Sequence, residues 1–340
     1  MYVVLVETSG NQDYIFATNK LRENVGASEL TYRVGTKYVL EAVRPAFNYD
    51  GDVNGSKLRK LLLDEMSIDE QTDPDSVEII IATSGKALLL TKKAERAKAI
   101  VAHVTSQVLK YAPGLLVHGA IVAVDPNRGI NAAIDEVHRR HSWIRNETPH
   151  TSQRFQRLPF FEPCETSNLP AKDFYRHLSL PTSERAKPHS GMSISKQETS
   201  SQGRDRLEGT LIAIDPSVRS LSSIRQLEKR FKTTRWLAII HADGNGLGEI
   251  FQHFDQFSGA TGSDYVEKYR RFSLDLDDCT VRAAASALRN LQQSWSEDNP
   301  PEVSGVDTIE APFIPLILGG DDLTVICDGE YALKFTYDFL

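Results

Sequence analysis

The stretch Phe313-Ile314-Pro315-Leu316-Ile317-Leu318-Gly319-Gly320-Asp321-Asp322-Leu323-Thr324-Val325-Ile326-Cys327 decides the reading of this chain. Two short runs, apolar and β-branched, flank four residues that suit a tight turn. The segment therefore reads as a hairpin with two carboxylates at its tip. Gly319 and Gly320 can adopt positive φ and let a phosphate approach the backbone closely. Upstream, Trp236 to Ile240 reads as a further strand that runs into the polar turn His241-Ala242-Asp243-Gly244-Asn245-Gly246. Helical sequence lies between the two, ending in a long stretch from Ser263 to about Ser294. Tyr331 to Leu340 opens another helix.

The same order of elements stands at the start of the chain. Tyr2 to Val6 reads as a strand and Glu7-Thr8-Ser9-Gly10-Asn11 as a polar turn. Helical sequence follows around Gln12 to Leu21, is broken at Gly26, and resumes from Ser28 to Val43. Residues 50–75 are polar and acid-rich, as in a surface insertion. Val77 to Ala82 and Ala87 to Leu90 then form a hairpin through Thr83-Ser84-Gly85-Lys86, Lys92 to Tyr111 a helix, and Leu115 to Val124 a last strand. This is the β-α-β-β-α-β order of a ferredoxin-like fold, the arrangement that underlies polymerase palms. The distance from Ser9 to Ser84 matches that from Asp243 to Asp321 within a few residues, which supports an internal repeat. The second copy shows no strand like Leu115 to Val124, so it is expected to be C-terminally incomplete, a piece of a longer protein.

The fold class expected is α+β. A first, degenerate palm occupies residues 1–126 and packs against a second palm over 233–340. An insertion over 127–232 separates them, partly helical and partly linker. Its first part is basic, with Arg128, Arg139, Arg140, Arg145, Arg154 and Arg157, and reads as a solvated helix face. Pro181 to Arg206, rich in Ser, Thr and Gln, reads as a mobile linker.

The acids carry the chemistry. Joining a nucleotide 3′-oxygen to an α-phosphate uses two divalent ions about 4 Å apart. Mg²⁺ or Mn²⁺ prefers hard oxygen ligands and keeps several waters, so two or three carboxylates suffice. Asp243, just past one strand, and Asp321 and Asp322, between two more, are the candidate catalytic and metal-binding residues. Alternation sends Asp321 and Asp322 to opposite faces. Asp321 is therefore expected on the metal directly, or both through shared water. Gly244, Asn245 and Gly246, ahead of a helix, form a turn whose free N–H groups can accept phosphate, as can Gly319 and Gly320. In the first copy Thr8-Ser9-Gly10 stands against Ala242-Asp243-Gly244, and Ser84-Gly85-Lys86 against the paired aspartates. No metal is expected there. Within Gly10 to Ser28, Lys20 and Arg22 are candidates for phosphate contacts and Ser28 for a base or sugar.

Of the 340 residues 40% are apolar and 25% charged, which suits a protein with real cores. A net charge of −7 gives no global attraction to nucleic acid or anionic membrane. Cys164, Cys279 and Cys327 lie far apart with no C-x-x-C pair. They exclude a zinc ribbon and a disulfide framework and read as reduced thiols in a cytoplasmic protein, Cys164 as a buried one. His138, His141 and His150 lack ligand spacing for zinc. Met1 runs straight into an apolar strand with no basic segment before it, so no signal peptide is expected, and no run approaches the roughly 20 apolar residues that span a bilayer.

Taken together, these segments resemble the large palm-domain subunit of type III CRISPR effectors. The likeness rests on Lys20-Leu21-Arg22-Glu23 and Gly26-Ala27-Ser28 in the first copy. In the second it rests on Asp243 through Gly248-Glu249-Ile250-Phe251 and Leu318 through Asp322. The resemblance implies a nucleotidyltransferase of the Gly-Gly-Asp-Asp type that makes cyclic oligoadenylate from ATP as an antiviral second messenger. Its metal ligands would be Asp243, Asp321 and Asp322. It further implies ATP or another nucleoside triphosphate as substrate, with RNA, effector subunits and a second copy of the chain as candidate partners. The family often carries a second acid two places after the first, where this chain has Asn245, an uncharged ligand at best. No His-Asp dipeptide occurs, so the family's N-terminal nuclease is expected to be absent, as is the helical domain that follows the second palm. A stand-alone relative of the subunit fits these departures. A non-catalytic nucleotide- or RNA-binding scaffold, and a cyclic di- or mononucleotide cyclase, are the alternative readings.

Overall fold

The structure is a computed structural model that describes residues 1–149, 158–177, 185–221, 223–224, 226–227, 236–298 and 312–340. It divides into two compact units. One comprises Met1–Tyr49, Lys60–Gly203 and Ile250–Arg270; the other comprises Asp50–Arg59, Arg204–Glu249 and Arg271–Leu340.

In the first unit, strands β1 (Tyr2–Ser9), β2 (Val77–Thr83), β3 (Lys86–Thr91) and β4 (Leu116–Ala123) form one sheet in the order β2-β3-β1-β4, every neighbouring pair antiparallel. Helix Leu21–Gly35 lies in the chain between β1 and β2, and helix Ala94–Tyr111 between β3 and β4. The expected β-α-β-β-α-β order is therefore present, with β1 at the centre. Val3 to Val6 and Leu88 to Leu90 have no exposed surface, because helices cover both faces of the sheet. On one face, His118 of β4 meets His141 of helix Gly129–Glu147, ring centroids 5.9 Å apart. The next residue, Gly119, points to the opposite face, where a Cβ would come within 2.3 Å of Val101 on helix Ala94–Tyr111. Glycine there lets helix and sheet close up.

Three sequence expectations change. Gly26 does not break a helix; it lies inside Leu21–Gly35, and only Asn11–Ile15 precedes it as a separate short helix. A Cβ on Gly26 would stand 1.7 Å from the carbonyl oxygen of Lys196, so this glycine serves a helix crossing rather than a turn. Most of the supposed linker Pro181 to Arg206 is ordered. Residues 181–184 fall outside the described residues, but Lys187–His189 forms β6, paired with β5 (Asp173–Tyr175), and Gly191–Ile214 is a helix. Its polar residues misled because Ser193, Lys196, Gln197 and Ser200 are buried and bonded rather than solvated. Within the polar stretch 50–75, helix Ser56–Leu63 forms, and Leu58, Leu62 and Ile68 are buried. Arg154, Arg157 and His150 lie outside the described residues.

In the second unit, β7 (Leu237–Ala242), β8 (Phe313–Gly319) and β9 (Asp322–Asp328) form an antiparallel sheet in the order β7-β9-β8. Among the described residues no fourth strand joins it. The register of β8 on β9 shifts between Pro315 and Ile317, and that of β2 on β3 shifts between Ile79 and Ile81. Both bulges sit at the same distance from their hairpin turns, a local match beyond shared element order. In the second unit Phe313 packs on Phe335, with centroids 5.3 Å apart. Val281, Ala284, Ala285, Leu288 and Leu291 bury one stripe of helix Gly262–Asp298.

Candidate metal centre

β7 ends at Ala242, which faces Leu323 across the sheet. The next residue on each strand, moving toward the turn, is Asp243 on one side and Asp322 on the other. Asp321 occupies the hairpin tip between Gly320 and Asp322. Each of the three offers a carboxylate oxygen, and these oxygens lie within 4.8 Å of one another. Burial, followed by the negative charges of Asp321 and Asp243, pushes the Asp322 carboxyl up to about 6; His241 opposes the shift. His241 is anchored by its cross-strand neighbour, with Nδ1 2.8 Å from Oγ1 of Thr324.

The backbone fits the cluster closely. Gly319 and Gly320 have φ of +144° and +66°, a conformation that L side chains rarely adopt. A Cβ on Gly244 would lie 2.9 Å from Cβ of Asp321, so glycine there makes room for that carboxylate. Asn245 and Gly246 are exposed in the turn before helix Leu247–Gln252. Lys20 and Arg22 line a pocket of the first unit, whereas Ser28 is buried inside helix Leu21–Gly35.

Two features escaped the sequence reading. Asp277, on helix Gly262–Asp298, accepts the backbone N–H of Gly320 at 2.6 Å and so holds the hairpin tip. Burial pushes the Asp277 carboxyl up, against the pull of that N–H and of Arg206 and Arg59. Nothing local distinguishes it from Asp275 and Asp278, and only the fold brings it to the turn. The second feature lies in the first unit. Its strand register places Glu7 opposite Lys86, the first residue after the turn. The positions that correspond to Asp243 and Asp322 are therefore Glu7 and Lys86, two residues from the alignment on Ser9. They form an ion pair at 3.7 Å. Aligning the copies from their hairpins rather than their turns would have found it.

The architecture has counterparts among solved structures. The chain shares its fold with Csm1-Csm4 assemblies. An apo Csm1-Csm4 cassette matches with a TM-score of 0.51 at 13% identity, over 99% of this chain and 46% of the other. A Csm1-Csm4 cassette in complex with AMPPNP matches with 0.51 at 13%, over 99% and 47%. A Csm1-Csm4 subcomplex in the type III-A CRISPR-Csm interference complex matches with 0.50 at 12%, over 99% and 47%. This chain thus spans less than half the length of those it resembles. No protein-family model matches it, and no curated protein does. Among the described residues no helix is long and apolar enough to cross a membrane.

Proposed function

We propose that the chain is a nucleotidyltransferase whose second unit is a palm that joins ATP into cyclic oligoadenylate, as part of CRISPR-type or related antiviral signalling. The observation that carries this reading is the gathering of Asp243, Asp321 and Asp322 at one end of the three-stranded sheet. Its support comes from the shared fold, including a relative in complex with AMPPNP, and from the sequence resemblance.

The donor set suits the ions that such chemistry uses. Three carboxylates supply only hard oxygens, the preference of Mg²⁺ and Mn²⁺ and not of softer metals. When bound, such ions neutralise triphosphate charge and make the attacking 3′-hydroxyl more acidic. The chain's residues do the rest. Asp243, Asp321 and Asp322 would hold the cations, with Asp322 giving up its proton as they bind. Asp277 keeps the tip in place through Gly320. Gly319 and Gly320 leave space for phosphate oxygens, and Gly244, Asn245 and Gly246 offer backbone N–H groups to them.

The test is incubation with labelled ATP and Mn²⁺, with products separated by chromatography. Wild type should yield cyclic oligoadenylates, and the double variant Asp321→Ala, Asp322→Ala should yield none. Equal products from both would remove the second palm from the chemistry. A purely linear or dinucleotide product would redirect the reading to another cyclase or transferase class.

A further inference from the structure

Helix Gly129–Glu147 lies over a row of polar side chains that crosses three strands of the first unit's sheet. Strand register places Glu7 of β1 between Lys86 of β3 and His118 of β4, so the three share one face. From the helix, His141 sets its ring edge-on to His118, and its Nδ1 stands 3.7 Å from Oε2 of Glu7. His138, one turn earlier, feels the positive charge of Lys86. On the far side of His118, its Nδ1 lies 3.5 Å from Oγ of Ser9. Ile130, Ala133, Ile134 and Val137 make up the apolar part of the helix's buried face, and the histidines follow them.

His118 and His141 are 6% and 3% exposed. Nε2 of His138 and Nε2 of His141 are enclosed and meet no hydrogen-bond partner among the described residues. A neutral imidazole tolerates such a place. An imidazolium brings a charge and a second N–H donor, both costly to leave unanswered there. The surrounding charges offer little relief. Glu7 is the carboxylate within ion-pair reach of His141, and it already pairs with Lys86 at 3.7 Å. Arg145, on the next turn, sets a further positive charge near His141. Helix Gly262–Asp298 contributes Tyr269, a phenol near Glu7. Asp135 faces Asp255, His253, Tyr265 and Tyr269 instead. Burial, then Lys86 and His141, push the His138 imidazole down to about 3. Burial likewise holds His141 below its ordinary value, against the opposing charge of Glu7.

From this geometry we infer that helix Gly129–Glu147 is a pH-sensitive latch: mild acidification protonates His138 and His141 and releases the helix from the sheet. The sign follows from linkage. A released histidine titrates near its ordinary value of about 6.5, so the open form takes up protons that the closed form refuses, and closure weakens as pH falls below that value. Each histidine that gains its proton on release raises the open fraction by a factor approaching about tenfold per pH unit. The opposite face of the same sheet supplies the contrast. There helix Ala94–Tyr111 buries Ala97, Ile100, Val104 and Val108, none of which titrates. The latch needs neither metal nor nucleotide and stands apart from the acidic cluster.

The experiment is hydrogen–deuterium exchange on the full chain in EDTA at several values from about pH 7 to about pH 5. It is read as protection factors, which remove the intrinsic pH dependence of exchange. Across this range the protection of helix Gly129–Glu147 should fall by about tenfold or more relative to that of helix Ala94–Tyr111. The double variant His138→Gln, His141→Gln should level this ratio. His103→Gln, which removes a histidine of the reference helix, should leave the fall as in wild type. If the double variant does not fold, Glu7→Gln keeps both imidazoles, removes the carboxylate that faces His141, and should deepen the fall. A wild-type ratio that does not change with pH, an undiminished fall in the double variant, or a shallower fall in Glu7→Gln overturns the latch.

Discussion

The carboxylate of Asp277 accepts the backbone N–H of Gly320 at 2.6 Å, so a residue in the middle of a long helix fixes the tip of the acidic hairpin. A charge-assisted bond of this kind contributes about 1.5–3 kcal/mol. Asp277→Ala should therefore lower turnover and Mn²⁺ affinity together, by about 10- to 100-fold, while the fold survives. Asp277→Asn keeps an acceptor oxygen and should recover part of the loss. Titration of Mn²⁺ by electron paramagnetic resonance, beside circular dichroism, checks this; wild-type affinity in Asp277→Ala would refute the positioning role.

The raised Asp322 carboxyl sets a pH dependence. With its folded value near 6, the metal-free folded chain holds a proton that the unfolded chain has already lost in the window from the ordinary carboxylate range up to about 6. Stability from this group is therefore present below that window and declines as pH rises through it. A bound divalent ion requires the charged form, so its affinity should fall as pH drops below about 6, approaching tenfold per unit. Mn²⁺ titrations at several pH values, with melting curves in EDTA, report both trends. A pH-independent affinity between 5 and 7 would contradict the assignment.

Gly26→Ala should destabilise the first unit by about 3 kcal/mol or more, because its new methyl group would meet backbone, not a movable side chain. Gly248→Ala has open space and an ordinary φ, so it should change stability by no more than about 0.5 kcal/mol. Denaturant midpoints of the two variants give the comparison, and similar midpoints would mean that the helix crossing at Lys196 is loose.

Arg270 and Glu78 form an ion pair in which the side chains are 6% and 4% exposed. Arg270 also donates from Nε to the carbonyl of Ile79 at 2.8 Å, and Glu78 accepts the N–H of Ile68 at 2.7 Å. Burial pushes the Glu78 carboxyl up even with this partner. Arg270→Met should cost about 3–5 kcal/mol by stranding Glu78, and the double change Arg270→Met, Glu78→Gln should regain much of it. Chemical denaturation of the three proteins tests the coupling; additive losses would show that the pair is not a unit.

The strands of the two larger sheets were legible in the sequence because their apolar, β-branched runs end at polar turns, and the pairing of β8 with β9 followed from Gly319 to Asp322 alone; the short, polar β5 and β6 were not. Asp243, Asp321 and Asp322 could be grouped before any coordinates, since sheet geometry leaves few ways to arrange a strand end and a hairpin tip. What stayed hidden depends on contacts distant in sequence. Gly26 reads as a helix breaker until Lys196 crosses it, and the Ser- and Gln-rich segment after Gly191 reads as solvated until Glu23 is found beneath it. Asp277 is one acid among several on its helix. The Glu7 and Lys86 correspondence was missed because the polar turn at Ser9 drew the alignment of the copies two residues away from the one their hairpins give.

That ion pair makes the two hairpins different in what they need from the cell. Under the proposed function, the cluster around Asp321 would draw its cations from solution, so its charge balance would follow their supply and a chelator would strip it. At the matching place in the first unit the cation is an ammonium group covalently tethered through Lys86. It cannot diffuse away, be exchanged for another ion or be starved out. With metal bound as proposed, a single chain would hold one electrostatic centre on loan from its surroundings beside another that it owns outright.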